Sequence, residues 1–429
     1  MGSAGHSRRT VLKSAIAFGL APIWARGADG AGEESADLIG SVEHVVVREG
    51  RKGGTSWFHP RPTLIPPAAV GGKATVLMTV QSITGSDVFG PVHWSISEDA
   101  AATWAEPEVI PGLGRRKADA ADNAIAPNDP VAAGMDQGVC DVVPEYHAKT
   151  DTVLAIGHTV FYRNNKLATP QPFRQPVYTV RSRDGKWSEP RVLKWDDPRG
   201  ALIYTCGCGQ RAVLEDGDVL IPISFGPRGR ADRSVATVRC SFDGRELAIK
   251  TVGNELRNTK GRGLLEPSVV RSGGRFFMTI RAEDERGYVT SSDDGMKWAE
   301  PAAWAWDDGS PLTMSTTQQH WLAHADGLYL VYTRKDEKNA KQFRFRTPLY
   351  CARVDRRTLR LVKATERIVL PMRPGEGKLA TAFGKYGNFH TCGVSATESI
   401  VMDGEAFPEK GYRGDLLQAR VKWGKPGAI

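Results

Sequence analysis

Two residues of opposite charge, Glu266 and Arg281, stand fifteen positions apart in a segment with the pattern of a β-hairpin. Leu264–Val270 is apolar and β-branched around a Glu-Pro pair, Ser272-Gly273-Gly274 is typical of a tight turn, and Phe276–Arg281 predicts a second strand. A carboxylate can exchange protons with a substrate, and a guanidinium can bind an anionic group through paired N–H donors. The pair therefore predicts either a site for an anionic ligand or a cross-strand ion pair that only stabilises the sheet.

A turn motif follows this predicted hairpin and recurs along the chain. Residues 291–298 have the form S-x-D-x-G-x-x-W, in which Ser and Asp side chains bond the backbone of a tight turn and the Trp packs between sheets. The acidic residues of these turns are Asp99, Asp184, Asp243 and Asp293, with a further hairpin near Asp355. Their intervals, about 50 to 85 residues, are those of four-stranded blades with loops. Five such units, and a sixth blade closed between the two termini, predict an all-β fold: a six-bladed β-propeller of four-stranded antiparallel blades.

These motifs resemble the blades of the sialidase (neuraminidase) superfamily, in which S-x-D-x-G-x-T-W is the Asp box. The likeness covers about residues 55–400 and is strongest at 262–301. It implies that Glu266 is a catalytic carboxylate and that Arg281 is one of three arginines on the substrate carboxylate. Arg346, which precedes a strand of the next unit, matches the third arginine best, with Arg344 as its competitor.

At the first of the three arginines, this chain departs from the family pattern. Sialidases carry an F/Y-R-I-P element here, whereas this chain has Pro60 at the arginine position and Arg61 one residue later. A shift of one residue turns a strand side chain to the opposite face of the sheet. Arg61 is therefore expected to bind substrate only if the backbone bulges locally, and otherwise His59 takes over the position.

The resemblance also implies the rest of a retaining mechanism. Asp87 matches the family's acid/base aspartate, on a polar loop ahead of the first box, although a plain turn residue is the alternative. Tyr386, shortly before a late strand, is the candidate nucleophile or else a packing aromatic. A phenol needs a neighbouring base such as Glu266 to act near neutral pH, and it brings no second negative charge to an anionic sugar. The implied activity is an exo-glycosidase that hydrolyses a terminal acidic, sialic-acid-like sugar from glycans.

Two other functions remain open from the residues. His59, His147, His158 and Tyr386 suit a polysaccharide lyase that abstracts a proton next to a uronate carboxylate and yields a product absorbing in the ultraviolet. The other alternative is a non-catalytic propeller that binds glycan or protein. Such a protein would keep its function after Glu266→Gln.

The charge balance predicts either an acidic glycan as the partner or a basic surface with no special partner. The 429 residues carry a formal net charge of +8 with a pI of about 9.1. A positive surplus on a binding face favours carboxylated or sulfated sugars. Beyond residues 115–117 there is no basic run of the kind that binds nucleic acid, so no nucleic-acid partner is expected. The sequence sets no oligomeric state.

The N-terminus and the cysteines suggest where the protein works. Arg8-Arg9, a short apolar segment at Ser14–Trp24 and small residues after it predict a Tat-type bacterial export signal with its linker at residues 1–36. Residues 37–429 then form the propeller domain, in the periplasm or beyond. The apolar segment is too short to span a membrane. The six cysteines are expected to be buried thiols or to form one disulfide, and no metal or other cofactor is expected.

Overall fold

The computed structural model describes residues 36–67, 74–119, 133–377 and 382–427. Residues 1–35, which hold nearly all of the predicted export signal, lie outside the described residues. Short 3-10 helices occupy Glu337–Asn339, Phe343–Phe345, Lys363–Thr365 and Pro408–Lys410. In the described ranges there is no helix long and apolar enough to cross a membrane.

The strands form six antiparallel sheets, one for each blade. Strand β1 (Ile39–Arg48) comes first in the chain but belongs to the last blade. Blade 1 contains β2 (Trp57–Ile65), β3 (Thr75–Gly85), β4 (Val88–Ser97) and β5 (Glu108–Val109). Blade 2 contains β6 (Arg116–Lys117), β7 (Asp136–His147), β8 (Thr152–Arg163), β9 (Lys166–Leu167), β10 (Pro176–Arg181) and β11 (Arg191–Val192).

The remaining four blades follow in chain order. Blade 3 contains β12 (Leu202–Cys206), β13 (Ala212–Val213), β14 (Val219–Gly226), β15 (Ser234–Phe242), β16 (Leu247–Val252) and β17 (Leu256–Arg257). Blade 4 contains β18 (Leu265–Ser272), β19 (Arg275–Arg281), β20 (Gly287–Ser292) and β21 (Ala302–Ala303). Blade 5 contains β22 (His320–His324), β23 (Gly327–Tyr332), β24 (Leu349–Asp355), β25 (Arg360–Leu361) and β26 (Arg367–Leu370). Blade 6 contains β27 (His390–Ser395), β28 (Glu398–Gly404), β29 (Leu416–Trp423) and β1.

The ring closes between the two ends of the chain, as predicted. Strand β1 pairs antiparallel with β29, so that Val42 lies opposite Val421 and Val45 opposite Gln418. The N-terminal strand is thus the outer strand of a blade whose other strands come from the C-terminus. The predicted six-bladed β-propeller is confirmed.

The hydrophobic core is divided among the contacts between neighbouring blades. Leu154 and Ile156 of blade 2, for example, pack with Ile221 and Ile223 of blade 3, and all four are buried. Similar clusters join the other neighbouring blades around the ring. Each buried aliphatic side chain contributes roughly 1.5–3 kcal/mol relative to exposure, so these contacts hold the inner strands at fixed positions around the centre.

The Asp-box turns fasten the blades on their outer side. In the first box, the Asp99 carboxylate accepts from the Thr103 backbone N–H at 2.9 Å and from the Ser97 hydroxyl at 2.7 Å. The box tryptophan reaches the next blade, because Trp104 Nε1 donates to Gln418 Oε1 of blade 6 at 3.3 Å. Trp298, the tryptophan of the 291–298 box, is buried and donates to Thr237 Oγ1 of blade 3 at 2.9 Å, which confirms its predicted packing between sheets.

One box differs in register from the prediction. The sequence pattern assigned the turn to Asp293, but the acceptor is Asp294, whose Oδ1 receives the backbone N–H groups of Met296 and Lys297 at 2.8 and 2.7 Å. Ser292 also donates to Asp294, at 2.9 Å. Asp293 is 88% exposed and pairs only with Arg275 in the described part of the chain. Both Ser291–Asp293 and Ser292–Asp294 fit the S-x-D start of the motif. The pair that forms the turn is Ser292–Asp294, which directly precedes Gly295.

All six cysteines carry free thiols. Five are buried, and Cys392 is half-buried. Burial raises the pKa of these thiols, among them Cys206 to about 12, so they remain protonated.

The corrected register of the fourth box predicts different costs for two adjacent substitutions. Asp294→Ala leaves two backbone N–H groups of the turn without an acceptor and should lower the free energy of unfolding by about 1–2 kcal/mol. Asp293→Ala removes only an exposed ion pair and should change it by less than about 0.5 kcal/mol. Urea unfolding of both variants measures the difference. Equal losses, or a larger loss for Asp293→Ala, would contradict the register.

Candidate functional site

Three inner strands share one distortion at the centre of the propeller. Strands β2, β7 and β18 each contain one extra residue relative to the strand they pair with, which is a β-bulge. In each bulge a polar residue has a positive φ: 53° for His59, 53° for Asp141 and 44° for Glu266. A positive φ costs a residue with a Cβ on the order of 1 kcal/mol or more, and such strain concentrates at functional sites. The repeated bulge identifies this end of the inner strands as the candidate site.

The bulge in β2 decides how Arg61 and His59 are placed. Pairing runs from Phe58–Gln81 directly to Arg61–Thr79, which restores Arg61 to the central face despite the displaced proline. The buried Arg61 guanidinium donates to Phe389 O at 2.6 Å, Asp141 Oδ1 at 3.0 Å and Gln318 Oε1 at 2.9 Å. His59 Nε2 lies 3.6 Å from the same Asp141 oxygen. Both alternatives named from the sequence therefore reach one carboxylate.

Asp141 is a central residue that the sequence analysis missed. Burial alone would raise the pKa of Asp141, but the neighbouring His59, Arg61 and His158 together hold that pKa below its usual value. The signal available in the sequence was a single carboxylate inside the apolar run Val139–Val143. Its significance depends on contacts from another blade, which the sequence pattern does not show.

A metal ion does not fit this cluster. Donor atoms of Cys140, Asp141 and His158 lie within 4.8 Å of one another, which is a spacing that ligands can have. However, Arg61 already donates to Asp141, and Arg174 Nη1 lies 3.3 Å from His158 Nε2. A cation would have to displace two guanidinium groups, so the electrostatics oppose it.

Glu266 and Arg281 form the ion pair that was one of the two predicted outcomes. Arg281 Nη1 lies 2.8 Å from both carboxylate oxygens of Glu266, and Arg281 Nε donates to Thr316 Oγ1 at 3.1 Å. The two side chains are only 17% and 8% exposed, respectively. The pair therefore lies largely shielded from water, where charge interactions are stronger than at the surface.

Arg346 is next to this pair, as the resemblance implied, whereas its competitor Arg344 is exposed. Burial, followed by repulsion from Arg281 and Arg344, lowers the pKa of Arg346 to about 10 against the opposing charges of Glu266 and Asp87. Its Nε is buried without a hydrogen-bond partner among the described residues, and Nη2 donates to Thr316 O at 3.4 Å. Arg346 thus places a second guanidinium group beside the Glu266–Arg281 pair without an ion-pair partner of its own among the described residues, and this leaves positive charge to bind an anion.

Asp87 approaches the same region from an exposed turn. It lies with φ of 55° between β3 and β4, at the tip of the hairpin. Its charge acts on the pKa values of His59, Arg262 and Arg346, so its carboxylate is close to the central groups. Asp87 therefore lies near His59, Arg262 and Arg346 and is open to solvent.

Tyr386 does not join the site. Its hydroxyl donates to Pro371 O at 2.7 Å, and its ring is buried in the apolar cluster between blades 5 and 6. Burial, reinforced by Glu405, raises the pKa of Tyr386, which opposes ionisation of the phenol. The adjacent Gly387, with φ of 111°, approaches Arg346 instead: a Cβ at Gly387 would lie 3.2 Å from Arg346 Cδ. The packing role is therefore the one that the structure shows, because the chain presents backbone rather than phenol to the arginine.

Of the other histidines named from the sequence, His158 lies at the candidate site and His147 lies outside it. His158 lies 4.0 Å from Asp141, but His147 ends β7, where its ring nitrogens meet Thr150 Oγ1 and Gly217 O at 2.8 Å each. His147 is thus a structural residue.

Two further histidines, His320 and His390, were not picked out from the sequence. Their rings lie on the inner strands β22 and β27, with centroids 4.7 Å apart and planes tilted by 42°. Burial and the nearby Arg61 keep the pKa of both imidazoles well below the usual range, so both are neutral.

Asp403, on the second strand of blade 6, stabilises the backbone at Gly387, which lies beside Arg346. Its Oδ2 accepts the Gly387 N–H at 2.7 Å, whereas Oδ1 is buried with no hydrogen-bond partner in the described ranges. Burial raises the pKa of Asp403 to about 7, against the opposing effects of the Gly387 N–H and Arg61.

A family model and solved structures resemble this chain. The model, described as a BNR repeat-like domain, matches residues 146–366. No curated protein matches the chain. A Hadza microbial sialidase, Hz136, is 14% identical with a TM-score of 0.59, over 88% of this chain and 68% of its own. A sialidase of Trypanosoma rangeli, solved with sialic acid, is 15% identical with a TM-score of 0.56, over 90% of this chain and 59% of its own. A protein of unknown function from Dyadobacter fermentans is 14% identical with a TM-score of 0.56, over 90% of this chain and 100% of its own. At these identities the similarities establish a shared fold.

The raised pKa of Asp403 predicts a pH-dependent gain in stability for Asp403→Asn. At about pH 4 the folded wild-type carboxyl is protonated and resembles the amide, so the two proteins should be similarly stable. As pH rises, the unfolded carboxyl ionises near its ordinary pKa of about 3.9 but the folded one only near 7, so the wild type loses stability relative to the variant. The difference should grow to at most about 4 kcal/mol near pH 8. Urea unfolding across this range measures it, and a difference that does not change with pH would refute the burial of an ionisable Asp403.

Proposed function

We propose that this chain, which belongs to the BNR repeat-like domain family, is an exo-glycosidase that hydrolyses a terminal acidic sugar from a glycan. The observation that carries the proposal is the positive charge at the centre, where Arg281 pairs with Glu266 and the neighbouring Arg346 has no ion-pair partner among the described residues. We further propose export to the periplasm or beyond, on the strength of the Arg8-Arg9 segment. Glycans of that compartment are then the substrates.

The arginines account for an acidic rather than a neutral sugar. A carboxylate placed against Arg346 would receive a charge-assisted hydrogen bond from a guanidinium whose Nε has no partner among the described residues. Arg281 can turn one N–H toward the same ligand while it still holds Glu266. Arg61, fixed by Asp141 and Gln318, would supply the third positive group.

The positions of Asp87 and Glu266 support a division of roles between the two carboxylates. Asp87, exposed on its turn, would protonate the glycosidic oxygen as the carbon–oxygen bond breaks. Glu266, held in position by Arg281, would take a proton from a water molecule as the water oxygen bonds to the anomeric carbon. The buried Tyr386 has no part in this scheme, which therefore differs from the nucleophile pair that the resemblance implied.

One observation favours a lyase as the second candidate. His59 lies 3.6 Å from Asp141, and burial lowers the pKa of His59, so its imidazole is neutral and can accept a proton. Arg281 and Arg346 would then neutralise a uronate carboxylate while the neighbouring carbon loses its proton. A product that absorbs in the ultraviolet, formed from a uronate polymer and lost in His59→Gln, would favour this reaction over hydrolysis.

The role proposed for Asp87 predicts a defect that depends on the leaving group. Asp87→Asn should lower kcat/KM by about 100-fold or more on an acidic-sugar glycoside with an alkyl alcohol as leaving group, because a general acid contributes on the order of 10²–10⁴. The loss should be much smaller with methylumbelliferone, which leaves without protonation. Steady-state kinetics on the two glycosides measures the contrast.

Tyr386→Phe is the matched control for this experiment. It removes only a hydroxyl bound to the Pro371 carbonyl, so its activity on both glycosides should stay within a few-fold of the wild type. Equal losses for Asp87→Asn on both glycosides would contradict general-acid catalysis. A collapse of activity in a folded Tyr386→Phe variant would restore the tyrosine nucleophile.

A further inference from the structure

Two arginines beside the candidate site lack the carboxylate partners that their neighbours have. Arg174 and Arg233 are half-buried, and neither forms an ion pair within the described ranges. Nearby arginines are neutralised: Arg257 donates to Asp232 at 2.6 Å, and Arg262 Nε donates to Glu283 at 2.9 Å. The contrast shows two guanidinium groups that the fold has left without a directly paired carboxylate in the described ranges.

Both guanidinium groups are nevertheless held in place around Tyr204. Arg174 Nη1 donates to the Tyr204 carbonyl at 3.1 Å and contacts His158 Nε2 at 3.3 Å. The Arg233 guanidinium lies over the Tyr204 ring, 4.1 Å from its centroid, in cation–π geometry. Isolated bridges to Ile203 and Gly263 also fix the two backbones. Side chains ordered in advance bind a ligand with less loss of conformational entropy.

This cluster is continuous with the centre on the side of blades 2, 3 and 4. His158 links Arg174 to Asp141, and Arg233 lies close enough to Glu266 for the two charges to interact. Burial, then Arg262 and Arg174, lowers the pKa of Arg233 to about 10, against Tyr204 and Glu266. Arg233 therefore stays charged at neutral pH despite its neighbours. An anion there would relieve the repulsion among three arginines.

We propose that Arg174 and Arg233, ordered by Tyr204, form a second anion subsite that binds a sulfate ester or carboxylate on the sugar next to the terminal acidic sugar. The inference rests on the proposed function, because it assumes that the terminal sugar occupies the Arg281–Arg346 centre. It identifies the substrate as a glycan with two anionic groups on adjacent residues. Planar guanidinium groups give the paired donors that sulfate and carboxylate oxygens accept.

Isothermal titration with three small probes tests the subsite without requiring turnover. The probes are a uronate-containing disaccharide with one sulfate ester, the same disaccharide without sulfate, and a disaccharide of two uronates. The wild type should bind one or both dianionic probes about tenfold more tightly than the unsulfated disaccharide, because a hydrogen bond to a charged group is involved. Preference for the sulfated or for the diuronate probe identifies the anion. Added salt should weaken the preference.

Variants assign the preference to the two arginines. Arg233→Gln and Arg174→Gln should each lose most of it while binding the unsulfated disaccharide as the wild type does. Arg191→Gln is the control. Arg191 lies on the outer strand of blade 2 and pairs with Glu246, so its substitution should leave the preference intact. Melting temperatures identify any variant that fails to fold, and the two independent substitutions keep the test open if one does.

A wild type without preference for either dianionic probe would overturn the subsite, and so would a preference that survives in both folded arginine variants. Failure of the proposed function is distinguishable from this result. In that case no acidic glycoside is hydrolysed, whereas the dianionic preference and its loss in Arg233→Gln can still be measured.

Discussion

The candidate site depends on a single backbone constraint, the one-residue bulge that recurs in inner strands of the propeller. Without the extra residue in each bulge, every side chain that follows it along β2, β7 and β18 would lie on the opposite face of its strand. With it, His59 and Arg61 both reach Asp141, and Glu266 faces Arg281 at 2.8 Å. The positive φ at each bulge has a conformational cost, and the tightly packed contacts between blades hold the strands in place against it. The packed blades therefore hold the inner strands in place, and the bulges direct polar side chains of these strands toward the centre.

At that centre some arginines are paired with a carboxylate and others are not, so positive charge is in excess. Asp141 and Glu266 each hold one arginine firmly, whereas Arg346, Arg174 and Arg233 have no ion-pair partner in the described part of the chain. A neutral ligand would leave these buried or half-buried cations uncompensated. An anionic sugar, and above all one with a second anionic neighbour, would supply the missing charge.

The parts of this structure that the sequence predicts are those governed by local rules. Box turns with Asp99 and Asp184, and the Glu266–Arg281 hairpin, follow from residues close in sequence, so the blades and the ion pair were predictable. The bulge at His59 was foreseen only as a condition on Arg61, since backbone register depends on the pairing strand. The position of Tyr386 was predicted wrongly. The turn at Gly387, whose backbone N–H donates to Asp403, sets the direction of the Tyr386 side chain. Asp141 and the Arg174–Arg233 cluster depend on contacts between blades, which no single segment encodes.

Turnover of methylumbelliferyl α-sialoside and of its methyl ester, by the wild type and by Glu266→Gln, tests the central claim most directly. We expect the wild type to hydrolyse the acid at least about 100-fold faster than the uncharged ester, because only the acid supplies a negative charge for Arg281 and Arg346. We also expect Glu266→Gln to lose about 100-fold or more in kcat on the acid. Equal rates on acid and ester, or an active Glu266→Gln variant, would contradict it.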